Sequence, residues 1–344
     1  MYKKRGNKMR TIVVGLGTIG KSFCRLLENR KQDLLSNHGI DPKIVAVADS
    51  NGVAINENGI EINDIIKIKE SNKSVSEMSI GNKNMTSADL VKEVDAELLV
   101  EATTTNIQNG EPSASILDNA MKTKKNIITA NKGPLALAFS SLIEKANYNN
   151  IILKYSAAVG GGTPVLEFGR KCLEADRILE IKAILNGTTN YILTEMDNRG
   201  LSFEEALKEA QELGYAETDP TLDVDGFDSA AKLVIMGNLL LNKDLVLNDL
   251  KINGIRDITQ KDISRARDNG NTIKLIASIN KSAEVSPVEI AKEDPMSVTG
   301  ALCSVKFISE FAGEEIIIGK GAGGMETASA MIRDLVEIKQ NMSV

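Results

Sequence analysis

Apolar positions fall in short β-branched runs that alternate with stretches of helical period, the pattern of an α/β chain. The first run, 10–14, enters Gly15-Leu16-Gly17-Thr18-Ile19-Gly20, and residues 21–27 then carry helical spacing. A second buried strand is predicted over 43–49, ending on Asp49. Residues 53–93 hold only short apolar patches among Asn, Ser, Lys and Glu and predict helix and loop. Strands follow at 97–102, leading to Thr103 and Thr104, and at 126–130, leading to Asn131, Lys132, Gly133 and Pro134. A helix at 113–124 separates them.

Beyond residue 150 the punctuation changes. A strand at 151–155 leads to Gly160-Gly161-Gly162-Thr163-Pro164, where consecutive glycines before an amphipathic helix imply close approach of backbone to something. A strand at 181–185 meets Asn186-Gly187-Thr188-Thr189, which opens a helix through 196. Ser202 with Glu205 reads as a capping box for the next helix. The densest acidic segment, 214–232, runs into residues 233–241, which are apolar nearly all round and so predict a buried helix beginning near Phe227. A strand at 315–318, a glycine turn at 319–324 and a helix at 329–339 close the chain.

Strand, glycine turn and helix in succession at 10–27 form the context required of a dinucleotide fingerprint. There the first glycine permits the tight turn, the second lets backbone approach the pyrophosphate, and the third lets helix and strand pack closely. The helix N-terminus then offers unpaired N–H groups to the phosphates. Asp49, at the end of the second strand and without an adjacent arginine, fits a ribose hydroxyl acceptor and leans towards NAD; as an alternative it simply starts a turn.

Length and composition narrow the chemistry. At 344 residues two domains are expected. No apolar run reaches about 18 residues, and the basic stretch 1–8 lacks the features of a signal peptide, so a cytoplasmic protein with no membrane partner is expected. Forty-one basic against 47 acidic residues give a net charge of −6, the wrong sign for a nucleic-acid binder. Aromatic residues make up 3%, with no tryptophan, which disfavours a base-stacking platform. Cys24, Cys172 and Cys303 are too scattered for a disulfide framework or a zinc ribbon. The one histidine, His38, lies in a turn-like stretch and is expected to be solvated, so proton transfer falls to lysine or carboxylate. Asp228 and Lys232, four apart at the mouth of the buried helix, read either as an exposed ion pair or as part of a desolvated, pKa-shifted cluster.

Taken together the chain resembles the homoserine dehydrogenase family over essentially its whole length. The resemblance rests on Gly15-x-Gly17-x-x-Gly20, Ala130-Asn131-Lys132, Ala158-Val159-Gly160-Gly161-Gly162-x-Pro164 and Asn186-Gly187-Thr188-Thr189-Asn190-Tyr191. It also rests on Gly214-Tyr215-Ala216-Glu217-x-Asp219-Pro220 with Asp223, Asp228 and Lys232, and on Gly319-x-Gly321-Ala322-Gly323 with Thr327 and Ala328. It implies reversible reduction of L-aspartate 4-semialdehyde to L-homoserine by NAD or NADP in reduced form, in a homodimer of the short form without kinase or C-terminal regulatory domain. The implied architecture is a Rossmann-type domain over 1–150, an α+β catalytic and dimerisation domain over 151–318, and a segment 319–344 returning to the nucleotide domain.

The resemblance also assigns roles. Gly15, Gly17, Thr18, Ile19 and Gly20 would hold the pyrophosphate, Thr103, Thr104 and Ala130 the nicotinamide side, with Gly323 and Thr327 completing the cofactor set. Glu217 would bind the substrate ammonium, with Asp223, Gly187 and Thr188 beside it. Lys232 would donate the proton, Asp228 would orient it, and Lys132 would sit by cofactor and substrate. A sodium ion held by the carbonyls of Val159, Gly161 and Thr163 belongs to the pattern, but the upstream family glutamate is replaced by Ser156. Two other readings are a different amino-acid dehydrogenase, such as one acting on aspartate, and a nucleotide-binding sensor without catalysis.

Overall fold

The computed structural model describes residues 8–342. Residues 1–7 of the basic stretch 1–8 lie outside the described residues. Chain contacts divide the protein into two units, Met1–Ala158 joined by Gly323–Val344, and Val159–Ala322.

The first unit begins with β1 (Lys8–Val14), α1 (Thr18–His38) and β2 (Asp41–Asp49). It continues through β3 (Gly52–Ile55), α2 (Ile62–Glu70), β4 (Gly81–Asn82), α3 (Ser87–Glu93) and β5 (Leu98–Glu101). Then come α4 (Ser113–Lys122), β6 (Asn126–Thr129), α5 (Lys132–Tyr148) and β7 (Leu153–Lys154). The sheet order is β4-β3-β2-β1-β5-β6-β7. β2, β1, β5, β6 and β7 are parallel, and β3 and β4 extend the sheet antiparallel. Val13 lies level with Val47 and Val100, and this β-branched layer is buried under Phe23 and Leu27 of α1. Such doubly covered strands read as continuous apolar runs, which is why they were visible from sequence.

Two local expectations need correction. Residues 53–93 are not helix and loop alone: β3 and β4 sit there, too short and too polar at β4 to show a strand period. His38 is not in a turn but ends α1, exposed, with Gly39 at φ 66° as the left-handed cap. Ser36 and Asn37 are poor helix formers, and the packing of α1 overrides them.

The second unit carries β8 (Ile178–Ile184), α7 (Gly187–Arg199), α8 (Phe203–Glu212) and α10 (Phe227–Leu240), with short helices α6 (Val165–Glu167) and α9 (Thr221–Val224). After β9 (Lys251–Ile252) and α11 (Gln260–Asp268) come β10 (Asn271–Ile279), β11 (Ala283–Ala291), β12 (Leu302–Ser309) and β13 (Gly313–Lys320). They form a six-stranded sheet, β13-β12-β8-β10-β11-β9, in which only β11 and β9 pair in parallel. α7 lies against β10 and β12, and α10 against β10 and β11. The Ser202–Glu205 capping box opens α8, and every residue of α10 from Ser229 to Asn238 is buried. The last helix, α12 (Gly324–Asn341), starts earlier than residue 329 and belongs to the first unit, where Met331, Leu335 and Ile338 join the core with Phe23.

Candidate active site

In the first unit the turn after β1 is shaped by what its residues lack. Gly15 has φ 89°, and a Cβ there would collide with the Ala102 carbonyl and the Thr103 amide. A Cβ on Gly20 would strike the Gly15 carbonyl, so helix and strand approach as closely as glycine allows. Gly17 differs: a Cβ would meet nothing within 4 Å, and the residue caps α1 without a side-chain hydrogen bond. Thr18 and Ile19 follow as the first residues of that helix, whose opening turn carries no acid. Gly323 likewise caps α12 without a side-chain hydrogen bond. A Cβ on Gly324 would lie 2.7 Å from Ser22 Oγ and 2.9 Å from Thr18 Cγ2, so the starts of α12 and α1 touch. Thr327 is buried one turn into α12, its amide bonded to the Gly323 carbonyl at 2.9 Å. The uncapped N-terminus of α1 beside an open glycine turn suits a pyrophosphate, and the cradle therefore fits a dinucleotide; the first turn of α12 carries Glu326, whose carboxylate lies against Gly323.

Asp49 departs from the ribose reading. One carboxylate oxygen accepts from Lys69 Nζ at 2.7 Å and the Val75 amide at 3.1 Å. The other accepts from Ser74 Oγ at 2.8 Å and the Asn51 amide at 3.0 Å. Burial pushes this carboxyl up, but the bonds from Lys69, Asn51, Ser74 and Val75 outweigh it and hold it below the usual carboxylate range. The turn alternative describes it better: Asp49 ties the β2–β3 turn to α2 and the 75–77 turn. Lys69 carried no signal in the sequence, because only the tertiary fold brings it to Asp49.

At the ends of β5 and β6, Asn131 Oδ1 accepts from the Gly133 amide at 2.9 Å and so caps α5. Its Nδ2 reaches Thr103 Oγ1 at 3.1 Å and the Thr104 carbonyl at 3.2 Å. Lys132 is the first residue of α5 and is half-buried; Ala130 is buried just before it. Asn131 thus ties Thr103 and Thr104 to the start of α5, with Ala130 and Lys132 its neighbours in the chain.

The second unit gathers the charged residues. Asn186 caps α7 by accepting from the Thr189 amide at 2.8 Å, and its Nδ2 donates to Asp223 Oδ1 at 2.7 Å and Asp228 Oδ2 at 2.9 Å. Lys232 Nζ donates to Asp228 Oδ2 at 2.7 Å and to the Leu185 carbonyl at 2.7 Å. The Lys232 and Asp228 side chains are only 8% and 12% exposed, which excludes the exposed-pair reading. Burial pulls the Lys232 ammonium down, yet Asp228, the neighbouring Cys303 and Asp223 overcome it and hold the lysine above its usual value. Asp223 is raised by burial and by Asp228, against the bonds from Asn186 and Thr188. Thr188 also donates to the Tyr215 carbonyl at 2.7 Å, and Gly187 is needed because a Cβ would lie 2.7 Å from the Ala301 carbonyl. Glu217 stands apart: it is exposed, and its backbone carbonyl accepts from Gln211 Nε2 at 3.0 Å.

Asn186 is the organiser that the sequence reading left without a role. An Asn directly before a helix was the available signal, since that position favours a side-chain cap. The triple-glycine turn approaches backbone, as expected: Gly160 and Gly161 have φ 86° and 55°, and Gly161 abuts Gly321 and Ala322. The Thr163 carbonyl already accepts from the Val165 amide at 2.8 Å. Ser156 donates from N and Oγ to Asp334, at 3.0 and 2.6 Å. Among the described residues no group of three or more His, Cys, Asp or Glu side chains could hold a metal.

Comparison with known proteins covers both units. The family model described as "Homoserine dehydrogenase, NAD binding domain" matches residues 15–156, and "Homoserine dehydrogenase" matches 164–336. A homoserine dehydrogenase of Methanocaldococcus jannaschii is 42% identical over 96% of this chain and 98% of its own. An NAD(+)-dependent homoserine dehydrogenase of Pseudomonas canavaninivorans is 35% identical over 96% of each. The crystal structure of a putative homoserine dehydrogenase from Archaeoglobus fulgidus superposes with a TM-score of 0.88 at 34% identity, covering 96% of this chain and 99% of that one.

Proposed function

This chain belongs to the homoserine dehydrogenase family, and from that premise we propose how its residues divide the work of the family's reaction. The activity is NAD(P)-dependent interconversion of L-aspartate 4-semialdehyde and L-homoserine. The bound nicotinamide supplies or accepts the hydride at the substrate's terminal carbon. Backbone N–H groups from Gly17 onward bind the pyrophosphate, and Thr103, Thr104, Ala130 and Lys132 form the wall on the nicotinamide side. Asp49 is left out of the ribose contact because its lone pairs are already taken.

The observation that carries the proton assignment is the tethering of Lys232. An ammonium has three N–H groups, and Asp228 and the Leu185 carbonyl take two of them. The third is left for the oxygen on which negative charge builds as hydride reaches the aldehyde carbon. There the lysine stabilises the developing alkoxide and then gives it the proton. Its raised pKa keeps that proton in place at neutrality. Asp228 orients Lys232, while Asp223 and Thr188, fixed through Asn186, border the substrate. Glu217, exposed on the 214–219 loop, is assigned the substrate ammonium on the family motif.

We further infer a cytoplasmic homodimer. Leu179, Leu302 and Ile318 on the six-stranded sheet are 45%, 37% and 47% exposed and give a second copy an apolar surface to cover. No helix among the described residues is long and apolar enough to cross a membrane.

The test is oxidation of L-homoserine with NAD+ and with NADP+ in parallel, followed by nicotinamide absorbance. Turnover with at least one of them is expected. Turnover of L-aspartate in place of L-homoserine would assign the chain to the alternative amino-acid dehydrogenase reading.

A further inference from the structure

One buried acid has no part in the reaction as described. Glu101, at the carboxyl end of β5, is fully buried. Its Oε1 accepts from the Thr103 amide at 2.8 Å and from the Thr103 hydroxyl, and its Oε2 accepts from the Thr129 hydroxyl at 2.5 Å. The hydroxyls are shared. Thr129 Oγ1 accepts from the Asn131 amide at 3.0 Å, and Thr103 Oγ1 accepts from Asn131 Nδ2 at 3.1 Å. Both hydroxyls donate to Glu101, which with the Thr103 amide receives three donors on its two oxygens, the environment of an acceptor-only carboxylate. Two hydroxyls and an amide are neutral partners, so this negative charge is buried without a counter-ion among them. Keeping such a charge is costly, and its three hydrogen bonds offset part of that cost.

The strand order says where that charge acts. β5 and β6 lie on the side of β1 away from β2. In dinucleotide folds the pyrophosphate sits at the β1 turn and the adenine ribose at the end of β2. The ends of β5 and β6 are therefore on the nicotinamide half. The Gly15 backbone presses on Ala102 and Thr103, so the loop that Glu101 fixes is continuous with the phosphate turn.

We propose that Glu101 is a positioning residue that also sets the redox preference of cofactor binding. It locks Thr103 and Asn131 in place, and its unpaired charge favours the positively charged oxidised ring over the neutral reduced one. The proposal rests on the dinucleotide-binding reading of this unit.

The experiment is titration of the whole protein with NADP+, NADPH, NAD+ and NADH, comparing wild type with Glu101→Gln. The oxidised forms are expected to lose about tenfold more affinity than the reduced forms, the size of effect one charge has at the effective dielectric of a protein site. Equal losses for both redox states would reduce Glu101 to scaffolding and overturn the proposal. Thr129→Val removes a hydroxyl but keeps the charge, so both redox states should weaken together. A shift in their ratio matching Glu101→Gln would overturn the charge argument. Should Glu101→Gln not fold, Glu101→Asp carries the test: it keeps the charge and draws it back by only one methylene, so the oxidised-to-reduced preference should stay within about twofold of wild type, and a fall of about tenfold would count against the charge argument. A wild type that binds no nicotinamide cofactor would instead sink the dinucleotide reading itself.

Discussion

The phosphate turn of the first unit and the acid–lysine cluster of the second are made of opposite materials. At Gly15–Gly20 the working groups are backbone amides, and the side chains matter by being absent; Asp228 and Lys232 are paired, Asn186 joins them to Asp223, and Asp223 and Lys232 are raised above their ordinary pKa values. A backbone cradle offers partial charges in a fixed direction at little desolvation cost and binds a ligand that brings its own chemistry. A buried ion cluster is costly to hold, and the cost is justified where a proton must be placed and moved. The contrast predicts that damage to the two regions shows in different measurements.

The largest effect that sharpens this contrast is expected at Asp228. Asp228→Asn removes the carboxylate that does most to hold the Lys232 proton, and should cut kcat by about 10²-fold or more. Without that carboxylate the lysine pKa falls. Semialdehyde reduction, which needs the protonated lysine, should then fail at lower pH than in wild type, as a pH–rate profile in the reducing direction would show. Next comes Gly20→Ala, whose Cβ must displace the Gly15 carbonyl. Overpacking of this kind costs about 1–3 kcal/mol and should lower both Tm and cofactor affinity. Gly17→Ala, with open space for its Cβ, should instead fold within about 0.5 kcal/mol of wild type and lose cofactor affinity alone. Equal Tm losses for both variants would break the cradle argument.

Glu217→Gln should raise KM for L-homoserine by roughly tenfold while leaving cofactor affinity intact. This is less than the loss of a fully buried charge partner, because Glu217 is exposed. The smallest effect is expected at Asp49. Its folded pKa lies below the usual range, so it contributes stability above that range which is lost as pH falls through the folded value. Asp49→Asn should cost about 1–2 kcal/mol at neutral pH, and the gap in Tm from wild type should close in acid. Cofactor choice between NAD+ and NADP+ should change less than stability does.

Much of the first unit was legible because its strands are buried on both faces and its glycines are obligatory. The runs ending at Val14 and Asp49 and the turn between Gly15 and Gly20 follow from local chemistry alone. What escaped is tertiary. The Lys69–Asp49 pair spans 20 residues and the Thr129–Glu101 bond 28, and neither leaves a periodic or spacing signal. In the second unit the i,i+4 pair Asp228–Lys232 was readable, but whether it was solvated depended on β8 bringing Leu185 and Asn186 over it. β3 and β4 were missed because strands of four and two residues at a sheet edge are shorter than the period used to detect them.

The central claim is that cofactor binding and proton transfer are housed in separate residues, with Lys232 the donor. The most direct measurement is made on Lys232→Ala, taking NAD(P)+ and NAD(P)H affinity, Tm and single-turnover hydride transfer on the same preparation. The account predicts cofactor affinities and a folded state like those of wild type, with hydride transfer slowed by about 10²–10⁴-fold. Hydride transfer near the wild-type rate in the folded variant would contradict it and make Lys132 the leading candidate for the proton.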